Sequence, residues 1–199
     1  MSISRIHVLV AAAATVLFAA GCSDDSTTTH PTEHATSTTT SATASTDFND
    51  ADVSFLQMMY PHHAQAVDMA KMVPSRTQNQ QLIALAAQVE KAQAPEMQQI
   101  TDLLTGFGKP APSATEGHGG HDMPGMMTDA QMSSLEAASG ADFDKQWLEM
   151  MIAHHEGAVD MAQVELNGGV NPASRQLATK IVADQEAEIA TMRGMLGQN

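Results

Sequence analysis

Residues 58–70 read MMYPHHAQAVDMA, and residues 150–162 repeat this stretch as MMIAHHEGAVDMA. The two stretches belong to a longer repeat. Residues 52–104 align with residues 144–196 without gaps, at a constant offset of 92, and 17 of the 53 aligned positions are identical. Solenoid repeats have periods of about 20–50 residues, so this period is too long for a solenoid. The repeat therefore predicts a structural unit that occurs twice.

Each copy of the repeat has the apolar spacing of two successive helices. Over residues 55–73, apolar side chains and His62 recur every three or four residues, which places them on one face of a helix. A second stripe with the same period covers residues 82–104, and residues 147–161 repeat the first stripe. The pattern predicts a helical hairpin, present in two copies.

Prolines and capping residues predict the helix ends of the first hairpin. We expect Pro74 to end its first helix and Ser75 to cap its second. Pro61 and Pro95 lie inside predicted helices, where the missing N–H should bend or break the helix.

The second hairpin has its own start and stop signals. The two glycines at 168–169 should stop its first helix, and the Asn-Pro pair at 171–172 should start the next as N-cap and first-turn proline. The Thr-Asp pair at 128–129 predicts a short extra helix that ends near Gly140.

Neither hairpin can bury its apolar stripe alone, so the two should close on each other. The sequence therefore predicts an all-α protein, an antiparallel four-helix bundle built from two duplicated helical hairpins. We place hairpin one at residues 50–105, a His- and Met-rich bridge at residues 106–127 and hairpin two at residues 128–197. Together they lie in a folded region of residues 47–199.

The composition fits a helical core under an acidic surface. Hydrophobic residues make up 43% of the 199 residues and aromatic residues only 4%, which favours closely packed helices over a β-sandwich. The formal net charge of −14 repels phosphate backbones and argues against nucleic acid as a partner. The single cysteine, Cys22, lies outside the predicted bundle, which excludes disulfides and thiolate metal sites there.

Residues 1–46 have the features of an export signal followed by a tether. Residues 8–20 carry no charge and are too few for a comfortable membrane span, which is typical of a signal peptide at residues 1–21. The following AAGC at residues 19–22 resembles a bacterial lipobox and predicts lipidation of Cys22, although a simple secretory signal is the alternative. The Ser- and Thr-rich residues 22–46 predict a disordered tether. We therefore expect an exported protein, lipid-anchored to the cell membrane and facing the periplasm or the outside.

Methionine and histidine are the residue types that point to a soft metal ion. Met occurs 15 times, and thioether sulfur selects Cu(I), whereas imidazole binds copper, zinc, nickel or iron. A Met/His mixture without thiolate therefore indicates a copper ion, Cu(I) or Cu(II), for which silver or zinc would substitute. The candidate ligands in the hairpins are His62, His63, Met58, Met59, Met69, His154, His155, Met150, Met151 and Met161.

Helical spacing separates the two histidines of each pair. Neighbouring residues on a helix point about 100° apart, so one ring should face the bundle and the other should lie nearer the rim. If the hairpins pack with pseudo-twofold symmetry, His62 and His154 should meet across the core. Asp68 and Asp160 are candidate acceptors for imidazole N–H groups, with a purely solvated role as the alternative.

The bridge contains a second cluster of candidate ligands, His118, His121, Met123, Met126 and Met127. Glycines between them would let the segment wrap around an ion. These methionines belong to no apolar helix stripe, so they indicate a soft metal independently of the hairpins. For the hairpin methionines, core packing is the competing interpretation, because Met adapts to irregular gaps.

The pattern Met-Met-x-x-His-His-x-x-Ala-Val-x-Met-Ala, present twice with His-x-Met-Pro-Gly-Met-Met between the copies, resembles the family called domain of unknown function 305. The resemblance covers about residues 48–196. It implies a ferritin-like four-helix bundle in a secreted or lipid-anchored bacterial protein, and some members are implicated in copper binding or resistance. The family's Met and His positions coincide with the hairpin ligands named above and with Met123 and Met126.

Ferritins proper bind a di-iron centre through Glu-x-x-His on two helices. Here the residues three positions before the histidines are Met59, Tyr60, Met151 and Ile152, so di-iron chemistry is not expected despite the fold.

We favour a copper-binding lipoprotein of the cell envelope that sequesters or buffers the ion. Its partners would be the metal ion and the membrane, with a metal-delivery protein or a second copy of the chain as further candidates. The alternatives are a metal-dependent oxidase, which needs an open coordination position, and a helical interaction domain that binds no metal. No nucleophile triad and no paired catalytic carboxylates are visible in the sequence, so we assign no catalytic residue.

Overall fold

The computed structural model describes residues 47–110 and 123–197. In this part of the chain all regular structure is helical and no strand occurs, which confirms the predicted fold class. The helices are α1 (Asp50–Arg76), α2 (Gln80–Gly106), α3 (Asp129–Ala137), α4 (Gly140–Gly168) and α5 (Pro172–Met195). Helices α1 and α2 form one hairpin, α4 and α5 form the other, and α1 packs against α4.

Several sequence-based predictions lie outside the described residues. They concern the signal peptide at residues 1–21, the lipidated Cys22, the tether at residues 22–46 and the bridge histidines His118 and His121. Among the helices that are described, none combines the length and hydropathy that crossing a membrane requires.

Asparagine side chains cap the two helices of the first hairpin. Asn49 caps α1 and forms a reciprocal capping box with Asp52, and Asn79 caps α2. The prediction that Ser75 caps the second helix was wrong, because Ser75 lies in the last turn of α1. The Ser75 hydroxyl donates to the carbonyl oxygen of Met72 within α1, whereas Asn79 Oδ1 accepts from the backbone N–H groups of Gln81 and Leu82 at the start of α2.

Helices α1 and α2 run through their prolines without a break. Helix α1 contains Pro61 and Pro74, and α2 contains Pro95. The prediction that Pro74 ends the first helix was therefore wrong, and of the two effects predicted for Pro61, a bend or a break, the break does not occur. A proline removes one backbone hydrogen bond, and the packing of a 27-residue helix along a bundle outweighs that loss.

The end signals of the second hairpin were predicted correctly. Helix α4 ends at Gly168, and Gly169 is its C-cap. Asn171 caps α5 with Pro172 in the first turn, and Thr128 caps the short helix α3.

Matching residues of the two hairpins make matching contacts, which gives the bundle pseudo-twofold symmetry. At one end, the backbone N–H of Asn171 donates to Asp52 Oδ1 at 2.8 Å. At the other end, Asn79 Nδ2 donates to Asp144 Oδ2 at 2.9 Å. Both contacts join the start of one hairpin's first helix to the N-cap of the other hairpin's second helix. Helices α1 and α4 therefore run antiparallel.

The apolar core consists of two clusters. The first contains Phe55, Leu56, Met59, Ile100, Leu104, Met161, Leu177 and Ile181. The second contains Met69, Val73, Leu82, Val89, Leu135, Phe143, Trp147 and Met151. Each of the four long helices contributes residues to both clusters. Between those two segments, each helix carries two polar residues whose side chains are buried or nearly buried. We call these eight residues the polar layer: His62, His63, Gln93, Glu96, His154, His155, Gln185 and Glu188.

Candidate functional site

The polar layer is duplicated in full. Each of its residues on α1 and α2 has an identical counterpart 92 positions later on α4 or α5. All are buried except Glu188, whose side chain is 17% exposed. Burial of polar groups in the middle of a bundle lowers stability unless each group finds a partner. The layer is therefore the first place to look for a function that apolar packing would not serve.

The two inner histidines meet at the centre of this layer. The ring centroids of His62 and His154 lie 3.8 Å apart, with the ring planes tilted by 40°, and both side chains are completely buried. The expectation that these two residues meet across the core is confirmed. The pseudo-twofold relation between α1 and α4 produces the contact, because the two positions are equivalent in the repeat.

A short piece of the bridge lies directly over this pair. His62 Nε2 donates to the carbonyl oxygen of Pro124 at 3.0 Å. Gly157 on α4 permits this approach, since a Cβ at that position would overlap the Pro124 carbonyl. Gly125 has a φ of 76° and passes so close to α4 that its own Cβ would lie 2.5 Å from the carbonyl oxygen of Ala153. Glycines on both sides of the contact thus allow the bridge backbone to reach the imidazole.

Gln65 fixes the same segment from the other side. Its Nε2 donates to the carbonyl oxygen of Met127 at 2.9 Å, and its Oε1 accepts from the Met127 N–H at 2.8 Å. Gln65 and Gly157 occupy equivalent positions in the repeat. Of the bridge methionines, Met127 is buried, whereas Met123 and Met126 are partly exposed. The bridge therefore contacts both hairpins at equivalent positions of the repeat. On α1, Gln65 forms hydrogen bonds to it, and on α4, Gly157 leaves the space that its backbone occupies.

The two outer histidines each bind a glutamate from the second helix of their own hairpin. His63 Nε2 lies 2.8 Å from Glu96 Oε2, and His155 Nε2 lies 2.7 Å from Glu188 Oε2. Glu96 Oε1 also accepts from Lys180 Nζ at 2.9 Å. The duplication has thus reproduced the same His–Glu pair in both hairpins.

The structure corrects one sequence-based expectation about these residues and decides between two alternatives for their acceptors. His63 and His155 do not lie nearer the rim, because both are completely buried. Asp68 and Asp160 are exposed, and the glutamates described above accept the imidazole hydrogen bonds instead. The helical angle was sound, but each helix of the bundle packs against more than one neighbour, so its buried arc is wider than the 100° that separates adjacent residues.

Burial keeps the inner histidines uncharged. Removal from water, reinforced by the neighbouring His63, lowers the pKa of His62 to about 3, against the opposing effect of the Pro124 carbonyl. Burial and the adjacent His62 ring hold the pKa of His154 well below its ordinary value. For Glu96, burial alone would raise the pKa, but the hydrogen bonds from His63 and Lys180 bring it below its usual range. The layer therefore combines a neutral inner pair, His62 and His154, with a charged carboxylate at its edge.

Several ring nitrogens of the layer have no hydrogen-bond partner among the described residues. These are Nδ1 of His62, His63 and His155, and both nitrogens of His154. The side-chain amide of Gln93 is likewise buried and unpartnered. A neutral imidazole has one nitrogen lone pair, and such lone pairs in a dry interior can bind a metal ion or an ordered water molecule.

The methionines next to the histidine pairs lie on both sides of the layer. Met59 and Met151 are completely buried and belong to opposite apolar clusters. Met58 is partly exposed, and Met150 is 8% exposed. Each of these methionines precedes a histidine by four positions, so its backbone lies about one helical turn from that histidine.

Met69 and Met161 lie two turns beyond the inner histidines, again in opposite clusters. The carbonyl oxygen of Met69 accepts from Trp147 Nε1 at 2.9 Å. Across residues 47–110 and 123–197, no three side chains of the types His, Cys, Asp or Glu are gathered as a ready-made metal site.

Sequence reasoning assigned no role to four residues that shape this layer. Glu96 and Glu188 are identical at matching positions of the repeat, which was a usable signal, since a glutamate kept on the apolar side of both second helices calls for a partner. Gln65 and Gly157 differ at matching positions. Only the path of the bridge explains that difference, and the sequence does not reveal this path.

A second buried polar contact lies at the turn between α4 and α5. The carboxylate of Asp52 accepts from the backbone N–H groups of Asn49, Val170 and Asn171. Burial and the adjacent Asp52 carboxylate raise the pKa of Glu165 to about 8. Gly169 makes room for this carboxyl group, which a Cβ would overlap. Glu165 is thus a carboxyl group that is largely protonated at neutral pH.

Comparisons with known proteins agree with the architecture. The family model described as Domain of unknown function (DUF305) matches residues 52–196. A DUF305 protein of Streptomyces coelicolor, described as a secreted protein, has a solved structure. It is 32% identical to this chain and superposes with a TM-score of 0.68. That match covers 74% of this chain and 93% of the other.

The structure is also similar to that of CopM, which has been solved with metal ions. CopM in its Cu(II)-bound form is 33% identical, with a TM-score of 0.64, and the match covers 72% of this chain and 94% of CopM. Other structures show CopM in Cu(I)-bound and Ag-bound forms. The uncharacterized protein L153 of Acanthamoeba polyphaga mimivirus is 40% identical over 55 residues, which are 28% of this chain and 36% of that protein.

Proposed function

The chain belongs to the DUF305 family, and on this premise we propose that it binds copper outside the cytoplasm through Met and His ligands, to sequester or buffer the ion. Copper in this role is cargo and not a catalytic cofactor. The proposal is supported by the likeness to CopM, a protein crystallised with Cu(I), Cu(II) and silver.

The observation that carries the proposal is the buried pair His62 and His154. Both rings are neutral at physiological pH, they lie 3.8 Å apart, and neither nitrogen of His154 has a hydrogen-bond partner in the described residues. A pair of this kind lowers the stability of a bundle that could have used apolar residues. An ion that accepts imidazole lone pairs would compensate for that loss.

The thioether groups around the pair favour a soft ion. Met59 and Met151 bring sulfur to opposite sides of the polar layer, and the unbranched Met side chain can turn its sulfur toward an ion with little backbone change. Sulfur and imidazole together select copper over hard cations such as Mg²⁺ or Ca²⁺. We propose the following as the wider ligand set: His62, His63, His154, His155, Met58, Met59, Met69, Met150, Met151, Met161, His118, His121, Met123, Met126 and Met127.

The location of the protein forms part of the proposal. A signal peptide at residues 1–21 would export the chain, and acylation of Cys22 would anchor it to the membrane through the tether at residues 22–46. The acidic charge of the chain would attract cations toward the bundle, although physiological salt screens this effect over about 8 Å.

Titration of the mature chain with Cu(I), Cu(II), Ag(I) and Zn(II) tests the proposal. We expect Cu(I) and Ag(I) to bind more tightly than Zn(II), because thioether ligands discriminate in that order. The comparison is with the double variant His62→Leu and His154→Leu, which removes the central histidine pair and fills its place with apolar side chains. Copper affinity that is equal in the double variant and in the natural chain would refute the central site.

The contribution of the bridge is tested separately by changing Met123, Met126 and Met127 together to Leu. We expect weaker Cu(I) binding and an unchanged helical circular dichroism spectrum, since Leu fills a similar volume without sulfur. If the affinity of this variant equals that of the natural chain, the bridge methionines are not ligands.

A further inference from the structure

Three of the four histidines in the polar layer hold Nε2 against an oxygen that accepts a hydrogen bond. For His62 this oxygen is the Pro124 carbonyl, for His63 it is Glu96 Oε2, and for His155 it is Glu188 Oε2. In the same three residues Nδ1 is buried and has no partner among the described residues. Histidines with the same pattern on two different helices point to a common role.

The direction of these hydrogen bonds follows from the acceptors. A backbone carbonyl oxygen can only accept, so Nε2 of His62 must carry the proton. Glu96 accepts from Lys180 through its other oxygen, Oε1, which identifies it as a carboxylate that accepts at both ends. His63 therefore donates to it from Nε2. His155 and Glu188 repeat this pair at an offset of 92 positions.

We propose that Glu96, Glu188 and the Pro124 carbonyl are positioning groups that lock His63, His155 and His62 as Nε2–H tautomers, so that Nδ1 of each ring is the nitrogen that binds copper. This inference rests on the proposed function for its copper-binding step. The tautomer lock itself is a property of the metal-free protein.

The buried environment supports this assignment of nitrogens. If Nδ1 carried the proton instead, each ring would bury an N–H without an acceptor and would lose its hydrogen bond at Nε2. Hydrogen bonding at one nitrogen of a metal-binding histidine generally fixes which nitrogen faces the metal and how the ring is oriented. The acceptors are carboxylates and a carbonyl, which are the usual groups for this purpose.

His154 behaves differently, because neither of its ring nitrogens has a partner in the described residues. The backbone of His62 opposes the lowering of the His154 pKa but makes no well-aligned hydrogen bond to the ring, so His154 can present either nitrogen to an ion beside His62. The layer thus contains three locked imidazoles and one adaptable imidazole.

The two locks made by glutamates are unequal. Lys180 holds Glu96 in place, and Lys180 also pairs with Asp184. The position equivalent to Lys180 in the first hairpin is Gln88, so no lysine holds Glu188 in the same way. The Glu96 side chain is 6% exposed and that of Glu188 is 17% exposed. We therefore expect His63 to be locked more completely than His155.

Nitrogen NMR on the ¹⁵N-labelled mature chain tests the lock directly. In the metal-free protein we expect His62, His63 and His155 to show one protonated Nε2 and one unprotonated Nδ1. On addition of Ag(I), a diamagnetic substitute for Cu(I), the Nδ1 resonances should shift and acquire one-bond coupling to silver. Protonated Nδ1 in the metal-free protein, or silver coupling at Nε2 of these rings, would overturn the inference.

The experiment separates this inference from the proposed function. If Ag(I) and Cu(I) do not bind at all, the proposed function fails, and the spectrum of the metal-free protein still decides whether the tautomers are locked. If silver binds through Nε2, copper binding survives and the assignment of Nδ1 as the donor fails.

Variants at the glutamates identify the positioning role. Glu96→Leu and Glu188→Leu remove the acceptor, so His63 and His155 respectively should become mixtures of tautomers and Cu(I) affinity should fall about tenfold. Glu96→Gln and Glu188→Gln keep an accepting oxygen and should retain the Nε2–H tautomer. Glu186→Leu, at an exposed position of α5, is the matched control. If the Leu variants keep the natural tautomers, the glutamates are not positioning groups.

Discussion

The imidazole rings of His62 and His154 come from equivalent positions of two fused hairpins and lie with their centroids 3.8 Å apart in the middle of the bundle. Both are completely buried, and in the described chain only the His62 ring makes a well-aligned hydrogen bond. A buried polar atom without a partner lowers the free energy of unfolding by about 1–3 kcal/mol. Stability and function should therefore respond in opposite directions when this pair is changed.

We expect His154→Leu to make the metal-free protein more stable and to weaken copper binding. Leucine fills a similar volume without a polar atom, so the free energy of unfolding should rise by about 1–2 kcal/mol. In a domain of this size that corresponds to a Tm higher by roughly 2–8 °C. Denaturant unfolding and competition titration with Cu(I) measure the two effects. A variant less stable than the natural chain would show that His154 contributes contacts that its unpartnered nitrogens do not reveal.

Copper affinity of the site formed by His62 and His154 should change little between about pH 7 and pH 5. The pKa of His62 is about 3 and that of His154 lies well below its usual value, so neither ring has to lose a proton in this interval. An imidazole with an ordinary pKa would lose about thirtyfold in affinity over the same interval. We expect a change below about threefold per site, measured with a competing chelator of known proton dependence. A loss near thirtyfold would contradict the buried central pair as the ligand.

Gly157→Ala should displace the bridge from the histidine pair. Its Cβ would overlap the Pro124 carbonyl, so the His62–Pro124 hydrogen bond must break or the helix must shift, at a cost of about 1–3 kcal/mol. Gly168→Ala in the same helix is the control, because its Cβ would lie at an ordinary 3.5 Å from Ala51 Cβ. Thermal unfolding of both variants measures the difference. Equal stability of the two variants would show that the bridge does not hold this contact in solution.

Glu165 should make the protein less stable as the pH rises. Its pKa is raised from 4.5 to about 8 in the folded state, so the folded protein retains a proton that the unfolded chain releases above about pH 4.5. The stabilising proton is fully present below that pH and is lost as the pH passes 8. Glu165→Gln removes this dependence, and its Tm should fall less than that of the natural chain between about pH 5 and 8.5. Glu149→Gln, on the exposed side of α4, should behave as the natural chain does.

Most of the fold could be predicted because the repeat and the helix caps can be recognised directly in the sequence. The offset of 92 revealed two hairpins, and Asn171 with Pro172 marked the start of α5. The absence of a break at Pro61 and of a helix end at Pro74 has a common cause. Local propensity opposes a proline inside a helix, but the long-range packing of α1 against α2 and α4 outweighs it, and no local rule contains that energy.

The candidate site was only partly accessible from sequence. Pseudo-twofold packing was enough to predict the contact between His62 and His154. The partners of His63 and His155 could not be deduced from helical periodicity, because Glu96 and Glu188 lie 33 residues away on another helix. Which of two acidic residues reaches an imidazole depends on the relative rotation of two packed helices, and a single helical pattern does not contain that rotation.

The docking of the bridge on Gln65 and Gly157 has a consequence for the duplication itself. A single connecting segment cannot be related to itself by the twofold axis between the hairpins. One hairpin therefore forms hydrogen bonds to the segment, and the other leaves space for its backbone. A chain made from two identical copies of the first hairpin would retain all eight residues of the polar layer. It would, however, carry a glutamine at the position of Gly157, where the bridge segment requires a residue without a side chain. The two halves are therefore no longer interchangeable, and the carbonyl of Pro124 reaches His62 but not His154.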